Sequence, residues 1–297
     1  MRTLRLGTRA SRLALIQSRQ VETMLRRLGI EVELVEVVTE GDARPAGFSA
    51  GEGVFVAALE HQLAEGNVDV AVHSAKDVPL RLHPDLVIGA YPERADARDV
   101  LVTRSGGGLE ALPPGAVVGT DSPRRAGFVL CLRPDLSHRP LHGNVDTRLR
   151  KLDAGEADAL VLAAAGLERL GAGGRIDARF DAAVVPPAPG QGALAVQCRA
   201  GDSEVRELLA QVDLPDVRLA VECERRVLEA TGGTCRSPVG ALGAVSDGRL
   251  RLVAGAAAPD GSARHLVELE TAATWEAGAR LAREAAAELL RHVALPV

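Results

Sequence analysis

Four stretches of the chain concentrate side chains able to do chemistry. Cys235 stands in GGTCRSPVG (232–240), where two glycines and a threonine precede it and a proline follows, so neither helix nor strand is expected. A thiol has no packing use in such a loop, which marks Cys235 out for covalent or ligand chemistry. HSAKDVP (73–79) sets Asp77 beside Lys76, one of only two lysines in an arginine-rich chain. Pro79 ends regular structure there, so the pair falls beyond the C-terminal edge of a predicted strand, where α/β proteins meet their ligands. Asp77 is then either half of a surface ion pair or a carboxylate that stabilises a cation formed in a reaction.

LGTRASR (6–12) and VGTDSPRR (118–125) share one plan: strand, Gly-Thr, a serine cap, a helix start and arginine. The positive end of a helix dipole disfavours cations, so Arg12, Arg124 and Arg125 in a first turn make sense if an anion sits before them. The alternative is that they are solvated arginines. Arg148, on the helix after HGNVDT, adds charge to the second of these poles. His138 and His142 are four apart, but Pro140 between them spoils a helical ligand pair, so no metal is expected. Neither a phosphate-binding glycine loop nor a dinucleotide fingerprint occurs.

The elements that must position these residues follow from periodicity. LRLGT, VELVEVVT and DVAVHS read as strands alternating with helices, the first capped by Ser11 with an apolar face of Leu13, Ile16, Val21, Met24, Leu25 and Leu28. DVLVT, AVVGT and ADALVLAAA, with helices SPRRAGFVLCL and NVDTRLRKLDAG, repeat that rhythm, which predicts parallel sheets flanked by helices. VVPPAPGQGALAV (184–196) reads as a crossover returning the chain to the first domain. After Pro215 come a long helix (about 216–230), three strands separated by Asp-Gly and Pro-Asp-Gly turns, and a last helix. At 297 residues and 46% hydrophobic the chain suffices for two or three domains. A net charge of −5 and six aromatics speak against nucleic acid. The N-terminus lacks a signal-peptide pattern and no apolar run spans a bilayer, so a soluble, cytoplasmic protein that binds no membrane is expected. Cys131, Cys198 and Cys223 form no metal or disulfide pattern and read as small buried hydrophobes.

GTRAS, HSAKDVP, GTDSPRR, HGNVDTRL, DALVLAAAGLERLG, PAPGQGALAV and CRSPVG occur in the order found in the hydroxymethylbilane synthase (porphobilinogen deaminase) family, and the chain resembles that family over almost its whole length. The resemblance implies an α/β fold of two periplasmic-binding-protein-like αβ domains with a cleft between them, plus a small C-terminal α+β domain with a three-stranded antiparallel sheet. The expected bounds are 1–94 with 193–212, 98–188, and 215–297. It also implies a monomer that condenses four porphobilinogen molecules head-to-tail on a covalent dipyrromethane cofactor, releasing ammonia and hydroxymethylbilane. By matching motifs Cys235 carries the cofactor through a thioether. Asp77, Arg9, Lys76 and Arg148 take catalytic roles. Lys76, Asp77, Thr120, Ser122, Arg124, Arg125, Arg148, Gln191 and Gly192 hold the cofactor. Arg9, Ser11, Gln17, Phe55, His142 and Arg169 meet substrate.

Three departures from the family pattern stand out. Phe48 and Glu52 replace the lysines often found in a loop, His142 stands where many members have arginine, and Thr234 replaces a glycine. If His142 binds a carboxylate as imidazolium, affinity should fall as pH rises through the histidine range. The alternative from another class is a non-catalytic anion- or tetrapyrrole-binding protein.

Overall fold

The computed structural model describes residues 3–37, 54–234 and 236–295, and the chain divides into two compact units. The first comprises residues 1–95 and 193–218. Its sheet is ordered β2-β1-β3-β10-β4, from β1 (Leu4–Arg9), β2 (Val32–Val37), β3 (Val70–Ser74), β4 (Leu86–Ala90) and β10 (Leu194–Arg199). β1 runs parallel to β2 and β3, but β10 lies antiparallel between β3 and β4. The proline-rich crossover therefore delivers a strand into the middle of this sheet, which a purely parallel reading did not anticipate.

Buried Asp69 pins three strands of the sheet. It accepts from the Arg5 backbone N–H at 3.0 Å and from the guanidiniums of Arg5 and Arg199, both at 2.9 Å. Helix Arg12–Arg27 buries Val21 and Leu25 against Leu4, Leu6, Val70 and Val72. Leu28, expected on that apolar face, is exposed because the helix ends one residue before it.

The second unit comprises residues 96–192 and 219–297. Its first sheet, ordered β7-β6-β8-β5-β9, uses β5 (Asp99–Thr103), β6 (Val117–Gly119), β7 (Ser137–Arg139), β8 (Ala159–Ala163) and β9 (Ala178–Arg179). Here β6 is parallel to β7 and β8, while β5 is antiparallel to β8 and β9. Strand alternation sorts side chains to two faces. Leu101 and Val161 pack with Phe128 and Val129 on one, and Val100, Val102, Leu160 and Leu162 pack with Leu149 and Leu152 on the other. β7 and β9 escaped the sequence reading because they are two- or three-residue strands with no apolar alternation to see.

The same unit holds the three-stranded meander β11 (Val239–Ser246), β12 (Arg249–Ala257) and β13 (Arg264–Ala272), antiparallel throughout as expected. Asp247 and Gly248 both have positive φ, at 48° and 71°, which is the backbone of the tight hairpin turn that Asp-Gly favours. Helix Trp275–His292, capped by Thr274, buries Leu281, Ala282, Ala285 and Leu289. β11 docks on the crossover through the bond from Ala241 N–H to the Pro187 carbonyl, 2.9 Å. Only glycine fits at 240, since a Cβ there would lie 2.1 Å from the Pro186 carbonyl oxygen. Cys198 and Cys223 are buried as predicted; Cys131 is half-exposed, its Sγ 3.2 Å from the Gly261 carbonyl.

Candidate active site

In the first unit the predicted residues gather at the C-terminal ends of β1 and β3. Arg9 closes β1, and Ser11 caps the following helix by accepting the Ala14 N–H at 3.3 Å. Arg12 opens that helix and is exposed. Beyond β3, Ala75–Asp77 form one 3-10 turn, which presents Asp77 to solvent and leaves Lys76 half-buried. The turn is anchored by the Ala75 N–H, which donates to the Ala193 carbonyl at 3.0 Å. Gln17 is buried, and its amide donates to Ser74 Oγ at 2.8 Å, tying the first helix to the end of β3.

Beneath this tip lies a polar chain that the sequence reading missed. Buried His73 pairs through Nε2 with Gln197 Oε1 at 3.1 Å, and Gln197 donates to Glu60 Oε1 at 2.7 Å. Burial pushes the His73 pKa down to about 4; the Gln197 bond opposes the shift and the nearby Arg9 charge adds to it, so the ring is neutral. The signal was present in HSAKDVP, but a histidine on a buried strand declares its partner only once β10 is inserted beside β3.

In the second unit Arg124 and Arg125 are buried rather than solvated, and the anion before them is internal. Asp99, fully buried on β5, receives Arg124 Nη1 at 2.6 Å and Arg125 Nε at 2.9 Å. This overturns the solvated alternative for Arg124 and Arg125, whose charge is met in part by the chain's own Asp99. Arg124 also donates to the Pro186 carbonyl, and Gln191 completes the cluster by donating to Asp99 and accepting from Arg125. Burial alone would raise the Asp99 pKa, but the two guanidiniums outweigh it and hold the carboxyl well below the usual range. One carboxylate between two arginines leaves the cluster net positive.

Asp121 makes a second internal counter-ion that the sequence reading passed over. Arg148 Nη2 donates to its Oδ2 at 2.8 Å, and His142 Nδ1 lies 2.9 Å from its Oδ1, in ion-pair range. The His142 ring, expected to face a substrate carboxylate, thus faces one from the chain itself. Thr120 and Ser122, expected as hydroxyl donors, also accept backbone N–H groups of the turn, from Ser122 and Arg125. Arg169 donates Nη2 to the Gly192 carbonyl at 2.9 Å, while its buried Nε has no hydrogen-bond partner among the described residues. Burial lowers the pKa of both Arg148 and Arg169. A desolvated guanidinium with a spare N–H fits a carboxylate.

Cys235, Phe48 and Glu52 lie outside the described residues, as does the side chain of Phe55, whose backbone belongs to helix Val54–Ala64. On either side of the cysteine, the Thr234 N–H donates to Ser237 Oγ at 2.9 Å and the Ser237 N–H to the Thr234 carbonyl at 2.9 Å. Thr234, a departure from the family pattern, thereby gains a use, since its Oγ1 accepts the Arg236 N–H at 3.2 Å.

Two family models cover nearly all of the sequence. Residues 4–207 match "Porphobilinogen deaminase, dipyromethane cofactor binding domain", and residues 218–291 match "Porphobilinogen deaminase, C-terminal domain". The chain belongs to the porphobilinogen deaminase family. It is 48% identical over 295 residues to the porphobilinogen deaminase of Acidothermus cellulolyticus, covering 97% of this chain and 88% of that one. Against the Syntrophobacter fumaroxidans enzyme of the same name the identity is 45% over 294 residues, covering 97% and 94%. Among solved structures, a nutrient binding protein from Burkholderia cenocepacia bound to methionine is similar at a TM-score of 0.45 and 15% identity, over 70% of this chain and 90% of that one.

The donor set suits the cofactor that the porphobilinogen deaminase domain is named for. A dipyrromethane carries acetate and propionate side chains, and the Arg169 Nε, without a hydrogen-bond partner among the described residues, and the net-positive Arg124–Arg125–Asp99 cluster are chemically suited to carboxylates.

Proposed function

We propose that the protein is a hydroxymethylbilane synthase, condensing four porphobilinogen molecules head-to-tail with loss of ammonia and releasing the linear tetrapyrrole by hydrolysis. The observation that carries this reading is the match of both family domains along one chain, residues 4–207 and 218–291. The dipyrromethane, attached through a thioether to Cys235, supplies the free pyrrole carbon from which the chain grows. Asp77, exposed at the tip of β3, hydrogen-bonds pyrrole N–H groups and offsets positive charge as ammonia leaves. Lys76 neutralises a carboxylate beside it. Arg9 and Ser11 in the first unit receive substrate carboxylates, and Gln17 and Phe55 belong to the same substrate set.

In the second unit Thr120, Ser122, Arg124, Arg125, Arg148, Gln191 and Gly192 hold cofactor carboxylates, and Arg169 and His142 extend the site to substrate. Asp99 fixes Arg124 and Arg125 so that their charge is in place before ligand arrives, which is how preorganised electrostatics acts. The enzyme works as a cytoplasmic monomer on a small-molecule substrate, independent of nucleic acid and membrane; no helix among the described residues is long and apolar enough to cross a bilayer. Its functional domains are 1–94 with 193–212, 98–188 and 215–297.

Intact mass of the purified protein beside Cys235→Ser tests the reading. A wild-type excess equal to two pyrrole units, absent from the variant, together with turnover of porphobilinogen, is the expected result. A wild type that stays unmodified after incubation with porphobilinogen would leave an anion-binding protein in its place.

A further inference from the structure

Far along the sequence from the residues assigned to catalysis, the last strand and last helix bring together two of the seven histidines. His265 is the second residue of β13, the edge strand of the meander, and His292 ends helix Trp275–His292. Their rings stack with centroids 4.0 Å apart at 21°. Glu288, one turn before His292 on the same helix, reaches both: its Oε1 is 3.0 Å from His292 Nε2 and 3.5 Å from His265 Nε2. One donor atom from each residue lies within 4.8 Å of the others.

We propose that His265, Glu288 and His292 form a binding site for a zinc-type divalent cation, which clamps the last turn of the helix to the edge strand. The spacing supports it. Zinc bonds to imidazole nitrogen and carboxylate oxygen are about 2.0–2.2 Å, so tetrahedral donors stand roughly 3.3–3.5 Å apart. Glu288 Oε1 lies 3.0 and 3.5 Å from the two Nε2 atoms, and binding requires the half-exposed His292 ring to swing out of its stack on His265 so that both nitrogens reach one ion. Two imidazoles and one carboxylate are the borderline donors that favour zinc over magnesium or calcium. Three protein ligands leave a fourth position for water. Arg291 pairs with the other carboxylate oxygen, Oε2, so Oε1 remains the atom common to both imidazoles. The i, i+4 spacing of Glu288 and His292 puts both on one helix face, and β13 delivers His265 to that face. His265 and Glu288 are half-buried, 27% and 29% exposed, which limits the freedom a cation would have to quench.

The test uses full-length protein stripped of metal, with His265→Ala, His292→Ala and Glu288→Gln beside wild type. Zinc is titrated by calorimetry, and Tm is measured with and without one equivalent of the metal. The expected result is one equivalent bound by wild type, a rise in Tm, and at least a roughly 10-fold loss of affinity in each variant, since outer-shell changes alone cost about 10–100-fold. Cobalt in place of zinc should give a tetrahedral d–d spectrum without a thiolate charge-transfer band, which separates this site from Cys131. Because none of the three side chains is fully buried, the variants should keep wild-type circular dichroism. Zinc binding that survives all three substitutions, a thiolate band, or no binding by wild type would each overturn the proposal.

Discussion

Asp99→Asn should unfold the second unit far more easily than it disturbs anything else. The carboxylate is fully buried, bonded to Arg124 at 2.6 Å and Arg125 at 2.9 Å, and accepts from Gln191 at 2.9 Å. Removing its charge leaves two guanidiniums uncompensated, one of them 2% exposed. Breaking a buried pair in this way costs about 3–5 kcal/mol. In a unit within the range of about 150–250 residues that is a Tm drop of roughly 6–20 °C. Differential scanning calorimetry at pH 7 reads it, with Asp99→Asn/Arg124→Met as the check, because removing one orphaned cation should return part of the loss. The pH dependence has a fixed sign. A native carboxyl held far below the ordinary value contributes stability that is full above about pH 4–5 and fades as pH falls through the unfolded value near 3.9, so the two proteins' Tm values should converge on acidification. A Tm loss under about 2 °C, or a double variant weaker than the single one by a further full increment, would refute the internal counter-ion reading.

Asp77→Asn should keep fold and cofactor mass but lower kcat by about 10²–10³-fold or more, measured as porphobilinogen consumption, because an amide cannot offset a cation. Asp121→Asn frees His142, placed with substrate, and should lower KM for porphobilinogen by up to about 5-fold, the ~1 kcal/mol scale of a partly exposed pair. In the first unit, stability should fall as pH drops from about 6.5 to about 4, the interval between the ordinary histidine value and that of buried His73, by on the order of 3 kcal/mol. His73→Gln should remove that acid limb in urea titrations. Gly240→Ala should cost about 1–3 kcal/mol or more and show as a lower urea midpoint, because the new methyl meets the Pro186 carbonyl backbone rather than a side chain that can swing away.

Much of the scaffold was legible because it rests on local chemistry. Ser11 and Ser122 cap the helices assigned to them, Asp247-Gly248 makes its hairpin, and the 3.6-residue and 2-residue periods separate helix from strand. The antiparallel insertions were not legible. β5 and β10 have the apolar composition of any buried strand, and their direction depends on where the chain enters each sheet, a long-range property without a local mark.

The same distinction explains the cations, where spacing raised the right question and could not answer it. Two poles looked alike in sequence, yet they are built differently. At the first, Arg12 stands exposed at the start of its helix. At the second, Arg124 and Arg125 turn inward to Asp99, a residue that read only as the first letter of the strand DVLVT. A buried aspartate opening a strand is costly unless cations already wait for it, so Asp99 and the Arg-Arg pair explain one another. Neither has a reason alone, and 25 residues separate Asp99 from Arg124. Asp121 follows the same logic against Arg148 and His142. In each case the chain places its own carboxylate where a ligand carboxylate was expected. The arginines are thereby held in position, and Arg169, whose buried Nε has no hydrogen-bond partner among the described residues, keeps a donor that neither carboxylate takes up.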